Sequence, residues 1–321
     1  MRSRIEQRER NNISSGVSDF NNAVILLDKP EGKTSFELVS KVKKITGIKK
    51  IGHSGTLDKF ATGLMVVCTG NATRLTRFFL EDDKRYRGRI KLGVETDTCD
   101  ITGSIISERP CLAIDWDAAI HTLSQFSGEM IQIPPKFSAV KINGKRASDR
   151  IRSGEDINLS GREIKIYDIA ATGIDKGENC IDFEVFCSKG TYIRSLARDF
   201  GQKFGTGACL TDLRRVSSGT FCISQAVTLE ELQQVKENES FIDRPFLLKP
   251  IDVLEDFSRI AVSDSGKRRV INGAPFRRDE VISLEKRSRD FWIITDVDEN
   301  LIAIVELDID KWIIAYYCVF N

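Results

Sequence analysis

Asp58 stands in a glycine-punctuated stretch, Gly52-His53-Ser54-Gly55-Thr56-Leu57-Asp58-Lys59-Phe60-Ala61-Thr62-Gly63. It gathers one carboxylate, one of the chain's two histidines and the hydroxyls of Ser54, Thr56 and Thr62. A carboxylate held on a fixed loop is available for nucleophilic or acid–base chemistry, and an imidazole and hydroxyls beside it can bind and orient a polar substrate. The glycines let the backbone turn tightly or approach a ligand closely. Leu64-Met65-Val66-Val67-Cys68, closed by Thr69 and Gly70, is short and β-branched enough to be a buried strand, so the loop rests on a rigid platform. An ordinary turn whose aspartate caps backbone amides has the same composition, and these residues alone leave both readings open.

The neighbouring elements follow from patterning. Ala23 to Leu27 reads as a strand, Asp28-Lys29-Pro30-Glu31-Gly32-Lys33 as a turn, and Thr34 with Glu37 as a capping box opening a helix to about Thr46. Asn71 to Leu80 is expected to be helical. Lys84 to Gly93 alternates as a strand, which puts Tyr86 in phase with Gly88, Ile90 and Leu92 on the inner face, either as a core residue or as a platform for a stacked base. Trp116 to Phe126 reads as a helix with His121 on its surface, and Ile164 to Ile174 and Cys180 to Ser188 as two strands around a turn at Lys176-Gly177. Arg194 falls in the first turn of a helix that follows Gly190-Thr191. A cation at the positive end of a helix dipole needs an anion, and Asp58 is the natural one. Residues 237 to 250 form a linker holding Pro245 and Pro250, and the strand-like runs beyond it indicate a small β-rich domain. The fold class expected is α+β, with a mixed, largely antiparallel central sheet flanked by helices.

A chain of 321 residues suggests two domains, and its 41% hydrophobic content is ample for a core. No apolar run approaches the roughly 18 residues of a membrane span, and the polar start shows no signal-peptide pattern, so a cytoplasmic protein is expected. Eight cysteines without a C-x-x-C pair argue for reduced thiols rather than a disulfide framework or a metal site. The formal charge is only +1, but its distribution is uneven. Residues 41 to 91 carry thirteen Lys/Arg against four Asp/Glu, residues 136 to 152 six against one, and residues 92 to 129 one against seven. Such segregation predicts a basic face able to meet phosphates on a nearly neutral molecule.

His53-Ser54-Gly55-Thr56-Leu57-Asp58 with Ala61-Thr62-Gly63-Leu64 resembles the nucleophile loop of the bacterial tRNA pseudouridine-55 synthases, the TruB type of pseudouridine synthase. Lys29-Pro30, Lys84-Arg85-Tyr86, Gly93 to Asp97, Pro134-Pro135, Gly190 to Arg194 and Leu213-Arg214-Arg215 match further motifs in the family's order, so that the resemblance covers residues 23 to 220. It implies the pseudouridine synthase fold over residues 22–245, with an RNA-binding insertion at about 131–160 and a PUA-like RNA-binding domain at 251–321; residues 1–21, polar and without periodicity, read as a mobile arm.

The resemblance also implies roles. Asp58 would be the nucleophile, Arg194 would favour its charged form and orient it, and Tyr86 would stack on the base and act as general base. Lys29 would support the site, Leu213 would pack on the base, and His53 would replace extruded loop bases. Phe137, Lys141, Lys145 and Arg146 of the insertion would contact RNA. The implied partner is the T-arm stem-loop of tRNA, met by a monomer without cofactor or metal. A base-flipping glycosidase would need a second carboxylate beside Asp58, and an RNA-folding protein on the same scaffold would not need Asp58. Three departures stand out: Phe137 and Ser148 occupy positions where the family usually has Tyr, and Lys59 one where it commonly has Pro.

Overall fold

The computed structural model describes residues 20–111, 114–138, 140–142, 144–238 and 244–320. Most of the expected N-terminal arm therefore lies outside the described residues. In chain order the first unit contains β1 (Val24–Lys29), α1 (Ser35–Thr46), β2 (Ile51–His53), β3 (Thr62–Thr69), α2 (Thr76–Leu80), β4 (Lys84–Leu92), β5 (Val94–Thr96), β6 (Ile105–Glu108), α3 (Trp116–Ser124) and β7 (Gly128–Gln132). It continues with β8 (Lys141–Ile142), β9 (Lys145–Arg146), α4 (Ala147–Arg152), β10 (Arg162–Asp175), β11 (Cys180–Cys187), α5 (Ile193–Phe204), β12 (Ala208–Ser218), β13 (Phe221–Cys222), α6 (Leu229–Asn238) and β14 (Leu247–Leu248). The second unit holds β15 (Phe257–Val262), α7 (Asp264–Ile271), β16 (Val281–Glu285), β17 (Arg289–Thr295), β18 (Leu301–Asp308) and β19 (Ile313–Val319).

The main sheet runs β14-β1-β3-β12-β4-β11-β10-β7, with β2 added at β3 and β13 at β12. It is antiparallel except where β12 meets β3 in parallel, Arg214 opposite Thr62 and Arg215 opposite Gly63. This is the mixed, largely antiparallel α+β architecture expected. The apolar strands β1 and β3 are buried along nearly their whole length and pair from Val24↔Cys68 to Lys29↔Gly63, so the register delivers Lys29 beneath the Asp58 loop. Helix α1 starts with the reciprocal cap: Glu37 N–H donates to Thr34 Oγ1 at 3.2 Å, and Thr34 N–H donates to Glu37 Oε2 at 2.8 Å. It stops at Gly47 in the left-handed conformation, as helices commonly do.

Strand β4 alternates as its sequence predicts, burying Lys84, Tyr86, Gly88, Ile90 and Leu92. Gly88 is required there because a Cβ would lie 2.8 Å from the Phe183 ring.

The second unit is a five-stranded sheet in the order β16-β15-β17-β18-β19. Two of its elements escaped the sequence reading. β15 begins almost at once after the proline-bearing linker, and α7 buries only Gly266 and Val270, so it has no apolar stripe to announce it. The two units share a core. Phe78 of α2 lies edge-on to Phe257 and Phe291, with ring centroids 5.2 and 5.1 Å away, and 4.9 Å from Tyr317. Arg289 adds an ion pair to Asp82 at 3.3 Å.

Candidate active site

The loop between β2 and β3 is built on Lys29. Its side chain is fully buried, and its ammonium donates to the carbonyls of Ala61 at 2.5 Å, Pro30 at 3.0 Å and Lys59 at 3.3 Å. Three carbonyls on one cation fix the path of the chain around Phe60, immediately after Asp58. Burial lowers the Lys29 pKa to about 8, with the Asp58 charge acting the other way. On the other side of the loop, Ser35 Oγ accepts from Leu57 N–H at 3.0 Å, tying Asp58's neighbour to the start of α1.

Arg194 reaches Asp58 from the first turn of α5. Its Nη2 donates to Asp58 Oδ1 at 3.0 Å, and Nε lies 2.8 Å from Oδ2 but is not aligned to donate. The guanidinium is itself held in place: Nη1 donates to the Thr98 carbonyl at 2.9 Å, Nη2 to the Phe137 carbonyl at 3.1 Å, and Nη1 lies 3.4 Å from Asp100 Oδ2. Asp100 is buried and takes hydrogen bonds from Thr98 Oγ1 and the Thr102 amide, both at 2.9 Å. Sequence reading singled out neither Asp100 nor its contact with Arg194, although Asp100 lies three residues past the matched Gly93 to Asp97 motif. Arg194 does not leave Asp58 more acidic than usual, as expected from the pairing alone. Burial raises the Asp58 pKa, the Asp100 charge adds to the rise, and Arg194 offsets only part of it.

Asp58, Arg194, Tyr86, Leu213 and Phe137 line one cavity of about 490 Å³, together with Tyr192 and Arg215. Asp58 is the exposed partner of the ion pair, its side chain 37% accessible against 6% for Arg194, so its carboxylate faces the space where a substrate would lie. Asp100 is not on the cavity wall, so the two carboxylates do not flank a common substrate position as a glycosidase pair would. Tyr86 and Leu213 reach the cavity from adjacent strands β4 and β12, where Leu213 pairs with Gly88. Burial raises the Tyr86 phenol above its ordinary value, opposed by the nearby Arg215 guanidinium.

Some of the expected site residues lie elsewhere. His53 sits on β2 opposite Val67, off the cavity wall; burial lowers its pKa, which favours the neutral imidazole. Lys145 is exposed on the β8–β9 hairpin, whereas the side chains of Lys141 and Arg146 lie outside the described residues. Ser148 stands on the cavity wall near Phe137.

The basic face is smaller than the local charge predicts. On β4, Arg85 and Arg87 pair with Glu184, Arg89 with Asp182 and Asp175, and Lys91 with Glu178, acids of β11, the end of β10 and the turn between them. Lys29 and Lys84 point into the interior. The neutralising acids lie about 90 residues away in the sequence, so a count over a contiguous window misses them.

Comparison with known proteins follows the same residues. Residues 43–193 match the family model described as TruB family pseudouridylate synthase, N-terminal domain, and residues 194–254 the one described as tRNA pseudouridylate synthase B C-terminal domain. The tRNA pseudouridine synthase B of Clostridium tetani is 38% identical over 252 residues, covering 78% of this chain and 84% of that protein. The chain belongs to the TruB family of pseudouridylate synthases. A second TruB relative, from Prochlorococcus marinus, is 43% identical over 236 residues, 74% of each protein. The crystal structure of a Cbf5-Nop10-Gar1 complex superposes with a TM-score of 0.71 at 27% identity, covering 96% of this chain and 87% of that one. The family match thus spans both the Asp58 loop and the strand that carries Leu213.

Proposed function

We propose that this chain isomerises uridine to pseudouridine at position 55, in the T loop of tRNA, acting as a monomer in the cytoplasm. The observation that carries the reading is Asp58 itself, a carboxylate held by a buried arginine and facing a cavity walled by Tyr86 and Leu213. The uridine leaves its stack to enter that cavity, at a cost of a few kcal/mol that stacking and backbone contacts offset. Asp58 adds and later leaves. The C1′–N1 bond breaks, the base turns, C5 bonds to C1′, and Tyr86 removes the C5 proton. Leu213 holds the face of the base, while Arg194 keeps the Asp58 oxygens aimed.

In this reading His53 replaces extruded loop bases, and Phe137, Lys141, Lys145 and Arg146 of the insertion lie along the T arm. The second sheet, in the place of a PUA-like domain, extends the RNA contact. Mapping pseudouridine in a tRNA transcript after incubation with the pure protein tests the proposal. Modification at position 55 is the expected result, and its absence would refute it.

A further inference from the structure

We propose that Arg215 is a positioning residue for Tyr86, aiming its hydroxyl at the substrate cavity and holding a positive charge beside it. The inference rests on the reading of Tyr86 as the group that takes the C5 proton. Arg215 and Tyr86 are direct cross-strand partners in the β12–β4 ladder, and both reach the cavity wall.

Arg215 is 2% exposed, one of the largest fully buried side chains in the protein. A charge so deeply buried ordinarily has a carboxylate partner, yet among the described residues none lies in ion-pair distance of it. Its visible bonds are to neutral carbonyls: Nε donates to Leu64 O at 2.7 Å and Nη2 to Gly55 O at 3.5 Å. These contacts lock the guanidinium to both ends of the Asp58 loop and leave its charge uncompensated. Of the other buried cations on the wall, Arg194 is paired with Asp58, and Lys84 is occupied by the carbonyls of Leu80, Phe79 and Asp82.

Among the described residues, the ionisable groups acting most strongly on the Tyr86 hydroxyl are Arg215 from β12, the Cys187 thiol from β11 and Asp58 from the loop, while Lys84 of β4 and Arg194 of α5 stand on the same cavity wall. Burial pushes Cys187 up to about 12, so it is neutral. Asp58 disfavours a phenolate, and of the three groups only Arg215 favours one. Tyr86 first gives its proton to water and then takes the C5 proton. The C5–H electron pair forms the C5=C6 bond as the C6=N1 π pair moves onto N1, and N1 then takes a proton from water.

The test places 3-fluorotyrosine at position 86 and follows its fluorine resonance against pH in the free protein. Arg215→Gln should displace the midpoint upward by about one pH unit, and Arg215→Lys, which keeps the charge, should return most of that displacement. In parallel, single-turnover pseudouridine formation at pH 7 should fall about tenfold in Arg215→Gln and only about twofold in Arg215→Lys. The more acidic 3,5-difluorotyrosine at position 86 should recover both losses. An unmoved midpoint in Arg215→Gln, or equal defects in the Lys and Gln variants, would make Arg215 a structural clamp and overturn the proposal. Should Arg215→Gln fail to fold, absence of rescue by difluorotyrosine in Arg215→Lys overturns it equally. A displaced midpoint in a protein that forms no pseudouridine would leave the electrostatic coupling standing and refute the base role along with the function reading.

Discussion

The Arg194 guanidinium is shared between two carboxylates of opposite character, the accessible Asp58 at 2.8 Å and the buried Asp100 at 3.4 Å. One faces the cavity and the other faces the protein, so the buried carboxylate helps anchor the arginine that holds the accessible one. Asp58→Asn should therefore bind tRNA as the parent does and form no pseudouridine. Arg194→Lys keeps the charge but loses the planar fork, and should lower the single-turnover rate about a hundredfold. Turnover by Asp58→Asn, measured as pseudouridine per tRNA, would remove the aspartate from the chemistry.

The raised pKa of Asp58 has a pH signature. Its carboxyl keeps its proton to a higher pH than an exposed aspartate does, and in the proposed reaction only the ionised form attacks. The acid limb of kcat/KM should therefore lie above the ordinary aspartate value of about 3.9. Removing the Asp100 charge removes one cause of the rise, so Asp100→Asn should move that limb to lower pH even while the loosened arginine lowers the plateau. A pH–rate profile of the two proteins checks the direction; a limb that stays in place would mean that another group titrates.

RNA binding should depend on salt through a limited set of cations. Each phosphate contact contributes roughly 0.7 to 0.9 to the slope of log affinity against log salt. Neutralising Lys141, Lys145 and Arg146 together should flatten the slope by about two to three. Neutralising Arg87, Arg89 and Lys91 should leave it nearly unchanged, because these side chains already face Glu184, Asp182 and Glu178. Titration of tRNA across salt concentrations separates the two sets, and equal effects would show that the β11 acids do not screen β4.

Phe78 joins the two sheets through three aromatic neighbours. Phe78→Ala should cost about 3–5 kcal/mol and lower the melting temperature. If calorimetry then resolves a separate early transition for the second sheet, the cluster is what couples the two units. A protein that melts as before would show that the coupling lies elsewhere, Arg289–Asp82 included.

Local pattern made much of this legible in advance. The alternation from Lys84 to Leu92 put Tyr86 on the inner face, Thr34 and Glu37 marked the start of α1, and the need of Arg194 for an anion pointed to Asp58. What stayed hidden depends on partners distant in sequence. Arg215 reads as one more basic residue until β4 is laid beside it, and Asp100 as one acid of an acidic stretch until α5 brings Arg194 against it. The ion pairs between β4 and β11 were lost for the same reason. Helix α7, held mainly by caps and ion pairs such as Lys267–Asp296 at 2.6 Å, has no periodic signal to read.

The parallel contact between β3 and β12 joins Thr62–Gly63 to Arg214–Arg215, segments separated by roughly 150 residues of chain. At Gly63 the approach is so close that an added Cβ would lie 2.3 Å from the Arg215 carbonyl oxygen. The entropy of closing so long a loop must be met before this contact returns anything, so the seam is expected to zip late in folding. A chain still emerging from synthesis without β12 carries Asp58 but has no Leu213 or Arg215 to complete the cavity. Chemical competence then arrives in one step rather than by degrees. Pulse-labelled amide exchange during refolding should find the two sides of the seam, Gly63 and Arg215, gaining protection together and after the β10–β11 hairpin.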